Sequence, residues 1–209
     1  VALARRRRPV RKFFFMGMGE PAHNLDNVLA SIDLLGMEGD LGHKNLVFST
    51  VGDRRVFERL PQGRVRPALA LSLHTTDAEL RARLLPCAPR IAPAELVESA
   101  EGYARATGYP IQYQWTLLEG VNDGDEEIDR LIRLLSGKYA MMNFIPFNAV
   151  DGSGFRRPEW GKAMALTGRL RRHGIVACLR DSAGQDIAAA CGQLRARTLG
   201  GGESPADPC

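Results

Sequence analysis

The stretch FFFMGMGEP, residues 13–21, runs from apolar residues into two glycines, a carboxylate and a proline. Gly17 and Gly19 leave backbone amides and carbonyls open to a ligand that comes close. Glu20 puts a carboxylate beside them, suited to a ligand ammonium group, and Pro21 removes a donor and fixes the turn. A dinucleotide fingerprint is the rival, because Gly17, Gly19 and Ala22 satisfy G-x-G-x-x-A. That rival is weak. Glu20 would stand against a pyrophosphate, and Asp53, the acid after the next strand, comes later than the roughly 20 residues expected.

Three further stretches carry groups able to do chemistry. LALSLHTTDAEL places Ser72 and His74 at a strand end, on one side by the strand period of two, with Asp77 as a cap for the helix that follows. FIPFNAVDG supplies Asn148, whose amide can read a purine edge or a ribose hydroxyl. In AGQDIAAACGQL, Cys191 stands among small residues, Ala188 to Ala190 and Gly192, so a bulky substrate can approach its thiol. Each has a plainer reading: local hydrogen bonds for Ser72 and His74, a turn for Asn148, a buried helix thiol for Cys191. No G-x-S-x-G and no His and Glu arrangement of a zinc hydrolase is present.

The elements that must position these groups alternate along the chain. Strands are expected at 13–16, 46–51, 68–73, 111–117, 140–147 and 175–180. Leu25, Val28, Leu29, Ile32 and Leu35 keep helical spacing between the first two. Pro93 opens a helix toward Thr107 that Gly108 stops, and further helices are expected at 125–135 and 159–173, the latter closed by Gly174. Strand and helix in alternation imply an α/β fold of parallel strands joined by right-handed crossovers, as an open sheet or a barrel. The strands read as near-continuous apolar runs, as expected when both faces are covered. Polar residues follow strand after strand: Glu20, then Ser49 and Thr50, Ser72 and His74, Asn122 and Asp123, Asn148, and Asp181. The C-terminal strand ends of such folds form one rim, and sites are built there.

Composition is ordinary for a globular chain of 209 residues, 44% hydrophobic and 25% charged. The net charge of +4 is uneven. Residues 1–12 hold six of the 28 Lys and Arg and no acid, leaving 22 basic against 24 acidic residues. Such a block, Arg5 to Arg8, is either a nucleic-acid contact or a solvated loop. No apolar run reaches the roughly 18 residues of a membrane helix and no signal-peptide pattern opens the chain, so a cytoplasmic location without a membrane partner is expected. The four cysteines, Cys87, Cys178, Cys191 and Cys209, lack metal-ligand spacing and are expected reduced.

Taken in order, MGMGEP with Asn24, then FSTVG, LALSLH, LLEGVND, IPFN and AACGQL resemble the RlmN/Cfr family of radical S-adenosylmethionine RNA methyltransferases, from about Val10 to Leu194. Pro21 makes the first motif look more like the RlmN branch. The resemblance implies a partial (β/α) barrel. It implies methylation of carbon 2 of an adenine in 23S ribosomal RNA and transfer RNA, with a flavodoxin-like electron donor as a further partner. By the same resemblance, Gly19 and Glu20 hold the amino group of S-adenosylmethionine. Ser49, Ser72, Leu73 and His74 line its methionine and ribose portions, and Asn148 contacts its nucleoside end. Cys191 matches the cysteine that is methylated first and then carries the methyl group to the RNA through a radical step.

The family's 4Fe-4S cluster is held by C-x3-C-x2-C, a motif these residues do not contain, so no metal ligands are assigned. The first barrel strand and cluster loop have no counterpart either. The expectation is a C-terminal portion of a longer enzyme, inactive by itself, in preference to a noncatalytic cofactor- or RNA-binding remnant. Its organisation is expected as a basic segment at 1–12, a radical-cofactor core at 13–196 and a disordered tail at 197–209. A nicotinamide-dependent oxidoreductase built on the G-x-G-x-x-A match is the third and weakest reading.

Overall fold

The computed structural model describes residues 10–16, 19–148 and 153–180. Six parallel strands lie side by side in chain order: β1 (Phe13–Phe15), β2 (Leu46–Thr50), β3 (Ala68–Ser72), β4 (Ile111–Leu117), β5 (Ala140–Pro146) and β6 (Val176–Leu179). Between them run α1 (Leu25–Met37), α2 (Arg54–Arg59), α3 (Ala78–Leu84), α4 (Pro93–Thr107), α5 (Asp125–Leu135) and α6 (Trp160–Arg172). An order that never reverses decides between the two architectures left open by the sequence. Right-handed crossovers that always step in one direction place every helix on the same side of the sheet, so the sheet is singly wound, a partial barrel.

Local chemistry sets the element ends. Asp77 Oδ1 accepts from the Leu80 N–H at 2.7 Å and starts α3, as its position predicts. Pro93 occupies the first turn of α4, and Gly108, at φ 73°, ends it in the left-handed conformation that glycine adopts without penalty. The observed strands match the expected ones to within a residue at each end.

The two faces of the sheet differ most in β4, where the expectation of a near-continuous apolar run fails, whereas β2 and β3 are buried along almost their whole length. In β4 the residues Ile111, Tyr113, Trp115 and Leu117 are buried under the helices, while Gln112, Gln114 and Thr116 point to the open face. Trp115 and Phe144 meet edge to face with ring centroids 6.2 Å apart, a pairing that adds about 0.5–1.5 kcal/mol beyond area burial. Parallel register then lines up the open face in rows. Val47 pairs with Ala68, and the next row reads Ser49, Ala70, Gln112, Met141 and Val176. The row nearer the strand ends reads Ser72, Gln114, Asn143 and Cys178. A polar row at the C-terminal side of a parallel sheet is a floor on which a ligand can lie. Among the described residues, no helix is long and apolar enough to cross a membrane.

Candidate active site

Side-chain hydrogen bonds join the loops that follow β1, β2, β3 and β4 into one rim at the C-terminal strand ends. Gly19 is exposed in a bend directly before Glu20. The Glu20 carboxylate spans two loops: Oε1 accepts from the Ala22 N–H at 3.1 Å, and Oε2 accepts from the Val51 N–H at 2.8 Å, just past the end of β2. An ionised carboxylate offers about four acceptor positions, so two remain for a ligand. The Val51 carbonyl in turn accepts from Arg81 Nη2, which also donates to the Ser72 carbonyl at 3.1 Å. Arg81 is 3% exposed, and burial pulls its guanidinium down to about 10, still a cation at neutral pH.

His74 follows β3 but is aimed by a turn. The strand ends at Ser72 and His74 takes a left-handed φ of 62°, so strand alternation, the reason given from sequence, does not reach it. Its Nδ1 accepts from the Thr116 N–H at 3.0 Å. That bond assigns the proton of the neutral ring to Nε2, leaving one N–H to donate. Burial, with the Arg81 charge adding to it, pushes the imidazole down to about 4. The ring is therefore neutral across the physiological range.

Two residues hold this turn: Asn122, which the sequence placed on the rim without a specific role, and Glu127, which it did not single out. Asn122, fully buried, donates from Nδ2 to the carbonyls of His74 at 2.7 Å and Thr116 at 2.8 Å, while its Oδ1 accepts from the Leu118 N–H at 2.8 Å. Glu127, at the start of α5, accepts from the Thr75 hydroxyl at 2.8 Å, the Thr76 N–H at 2.6 Å and the Thr76 hydroxyl at 3.0 Å. Burial works to raise the Glu127 carboxyl, yet these bonds and two from Arg130 hold it below the usual range.

The remaining predicted residues distribute as follows. Ser49 and Ser72 lie half-buried on the open face, within the two rows described above. The Leu73 side chain belongs to the helix-side core, and its N–H donates to the Gln114 carbonyl at 3.0 Å, so this residue faces a ligand through backbone alone. Asn148 is buried just beyond β5. Cys191 and Gly17 lie outside the described residues. The rim thus offers a fixed carboxylate, two hydroxyls, a neutral imidazole donor and a carboxamide, a set that suits an amino acid joined to a nucleoside.

The His74 environment makes stability depend on pH. An imidazole near 4 when folded and near 6.5 when unfolded gives a contribution fully present above pH 6.5 and lost as pH falls toward 4. The total is about 3 kcal/mol at most. Urea unfolding at half-unit steps from pH 4.5 to 7.5 should show His74→Gln losing less stability than wild type as pH falls. Parallel curves for the two proteins would refute the assignment of a neutral ring.

Comparison with solved structures identifies the architecture. The same fold is seen in a solved radical SAM methyltransferase. That structure, from Sphaerobacter thermophilus, has a TM-score of 0.86 and 34% identity, covering 93% of this chain and 58% of that one. A domain of a pyruvate-formate lyase-activating enzyme from Bacteroides vulgatus shares the fold at a TM-score of 0.65 and 16% identity, over 82% of this chain and 99% of that one. In sequence, the chain is 69% identical over 201 residues to a probable RNA methyltransferase of Methylibium petroleiphilum. It is 70% identical over 202 residues to one of Aromatoleum aromaticum. These alignments cover 96% and 97% of this chain and 57% of each relative, so the chain spans little more than half the length of the curated relatives it matches. No family model matches the chain.

Proposed function

We propose that this chain is the cofactor-clamping and methyl-carrying part of a radical S-adenosylmethionine RNA methyltransferase. The observation that carries the reading is Glu20, a carboxylate locked at the rim by two backbone N–H groups with acceptor positions to spare for an ammonium group. Gly19 beside it admits the ligand closely, since a Cβ there would meet nothing within 4 Å. Ser49 and Ser72 offer hydroxyls to the methionine and ribose portions, His74 donates its Nε2–H, and Asn148 reads the nucleoside end. S-adenosylmethionine, when bound, supplies an electrophilic methyl group. Cys191, as a thiolate, would be the acceptor of that methyl group.

The relatives' naming as RNA methyltransferases supports RNA as the acceptor. The motifs MGMGEP and AACGQL support the finer reading, methylation of adenine carbon 2 in 23S ribosomal RNA and transfer RNA, in the cytoplasm with a flavodoxin-like electron donor. The described residues contain no group of three His, Cys, Asp or Glu side chains able to hold a metal ion. They do not fit the implied 4Fe-4S cluster.

The test uses the intact protein with methyl-labelled S-adenosylmethionine. Peptide mass analysis should find one labelled methyl group on Cys191, and nucleoside analysis should find 2-methyladenosine in the RNA. Cofactor binding with neither product would leave a noncatalytic binder. No cofactor binding at all would sink the proposal.

A further inference from the structure

The open face carries a charged group that the cofactor reading does not use. Arg180 directly follows β6 on the same face as Cys178 and Asn143. Its Nε donates to Asn143 Oδ1 at 2.8 Å, and its backbone N–H donates to the Phe144 carbonyl at 2.8 Å. The side chain is anchored at one edge only. Among the described residues no carboxylate pairs with it, and its two terminal nitrogens carry no hydrogen bond, although the residue is exposed. Asn143, which holds it, has no exposed surface, and the Asn143 Nδ2 has no partner. A buried amide with an unmet donor is costly unless a ligand or water completes it.

A guanidinium fixed at Nε presents its terminal nitrogens as a fork for an oxyanion, the geometry that phosphate and carboxylate accept with two parallel bonds. Two anions are chemically available, the cofactor carboxylate and an RNA phosphate. Position in the sheet separates them. Gly19 and Glu20, assigned to the amino group of the cofactor, follow β1, whereas Arg180 stands at β6, the far edge, next to the strand that leads to Asn148. Arg180 is thus on the nucleoside side of the floor, away from the methionine carboxylate.

We propose that Arg180, oriented by Asn143, grips a phosphate of the RNA and so sets the target nucleotide over the floor of the sheet. This rests on the RNA methyltransferase reading. Arg180 is then a substrate-binding residue, and Asn143 a positioning residue that acts through it.

The experiment measures affinity of the intact protein for unmodified transfer RNA transcripts and 23S ribosomal RNA fragments over a range of salt, alongside affinity for S-adenosylmethionine. Arg180→Gln should weaken RNA binding about tenfold and lower the slope of log affinity against log salt by about 0.7, the contribution of one single-strand phosphate contact. Cofactor affinity should stay within twofold. Arg180→Lys should keep the slope but lose the bidentate grip, raising KM several-fold with kcat less affected. Asn143→Leu, which leaves the Arg180 charge in place, should likewise keep the slope and raise KM. Unchanged RNA affinity and slope in Arg180→Gln, with wild type still methylating RNA, would overturn this inference and leave the function standing. Loss of cofactor affinity instead would assign the fork to the methionine carboxylate and also overturn it. A wild-type protein that binds no RNA would refute both.

Discussion

Glu20→Gln is expected to weaken S-adenosylmethionine binding by at least about 100-fold while leaving the protein folded. The wild-type carboxylate takes the Ala22 and Val51 N–H groups and keeps acceptor positions and a full negative charge for a cation. An amide of the same shape has one acceptor oxygen and one donor nitrogen. It can satisfy a single backbone N–H, and its NH2 group then faces either the second N–H or the ligand ammonium, both donors. A 100-fold loss corresponds to about 2.7 kcal/mol, within reach of a charge-assisted bond replaced by a donor–donor clash. Glu20→Ala should lose as much affinity and, in addition, about 1–3 kcal/mol of stability, because both backbone groups lose their partner. The pair of variants separates clamp from strut. Calorimetric titration with the cofactor and urea unfolding read the two quantities, and Asp53→Ala is the control. Asp53 caps α2 through the Arg55 N–H at 2.9 Å in the loop after β2, so losing it should cost stability without a comparable loss of affinity. If Glu20→Gln binds cofactor as wild type does, the ammonium-clamp role is wrong, whatever the fold similarity.

Glu20 could be singled out from its neighbours in the chain because its surroundings are local: a glycine before it, a proline after it, a strand leading in. The same holds for α4, bracketed by Pro93 and Gly108, and for Asp77, whose cap lies three residues on. Arg81 and Glu127 had no such signature. Their partners at Val51 and Thr75 are 30 and 52 positions away, and the bond of Asn122 to the His74 carbonyl spans 48. An arginine inside a short helix looks like a solvated cation until the fold carries it under two strand ends. Winding was not legible in the alternation of strands and helices, which does not state the spatial order of the strands; the partial barrel was implied by the motif resemblance, and the strand order bears it out. The alternation Ile-Gln-Tyr-Gln-Trp-Thr-Leu in β4, by contrast, was open to view. It marks a strand with one polar face, and parallel pairing extends that face to Ser72 and Asn143.

Asn122 has the largest stability consequence in the rim. Asn122→Ala removes three hydrogen bonds at once, those to the Leu118 N–H and to the carbonyls of His74 and Thr116, at a side chain that is itself fully buried. With net values of about 1 kcal/mol per bond and an added penalty for each buried group left unpaired, a loss of about 3–5 kcal/mol is expected. That is a sizeable share of a domain's total, so the variant is expected to unfold at markedly lower urea concentration. Asn122→Asp discriminates the mechanism. An ionised Asp keeps the acceptor toward Leu118 but turns an oxygen toward the two carbonyls, where the wild-type amide donated. Acceptor facing acceptor near buried carbonyls should destabilise at least as much as Ala, and lowering the pH should recover part of the loss, because a protonated carboxyl donates again to one of them. Recovery in acid for Asn122→Asp but not for Asn122→Ala would establish that the amide's donors, rather than its volume, hold the His74 turn in place. Equal stability of Ala and wild type would show that the rim closes without this residue. The His74 donor would then owe its direction to the Thr116 bond alone.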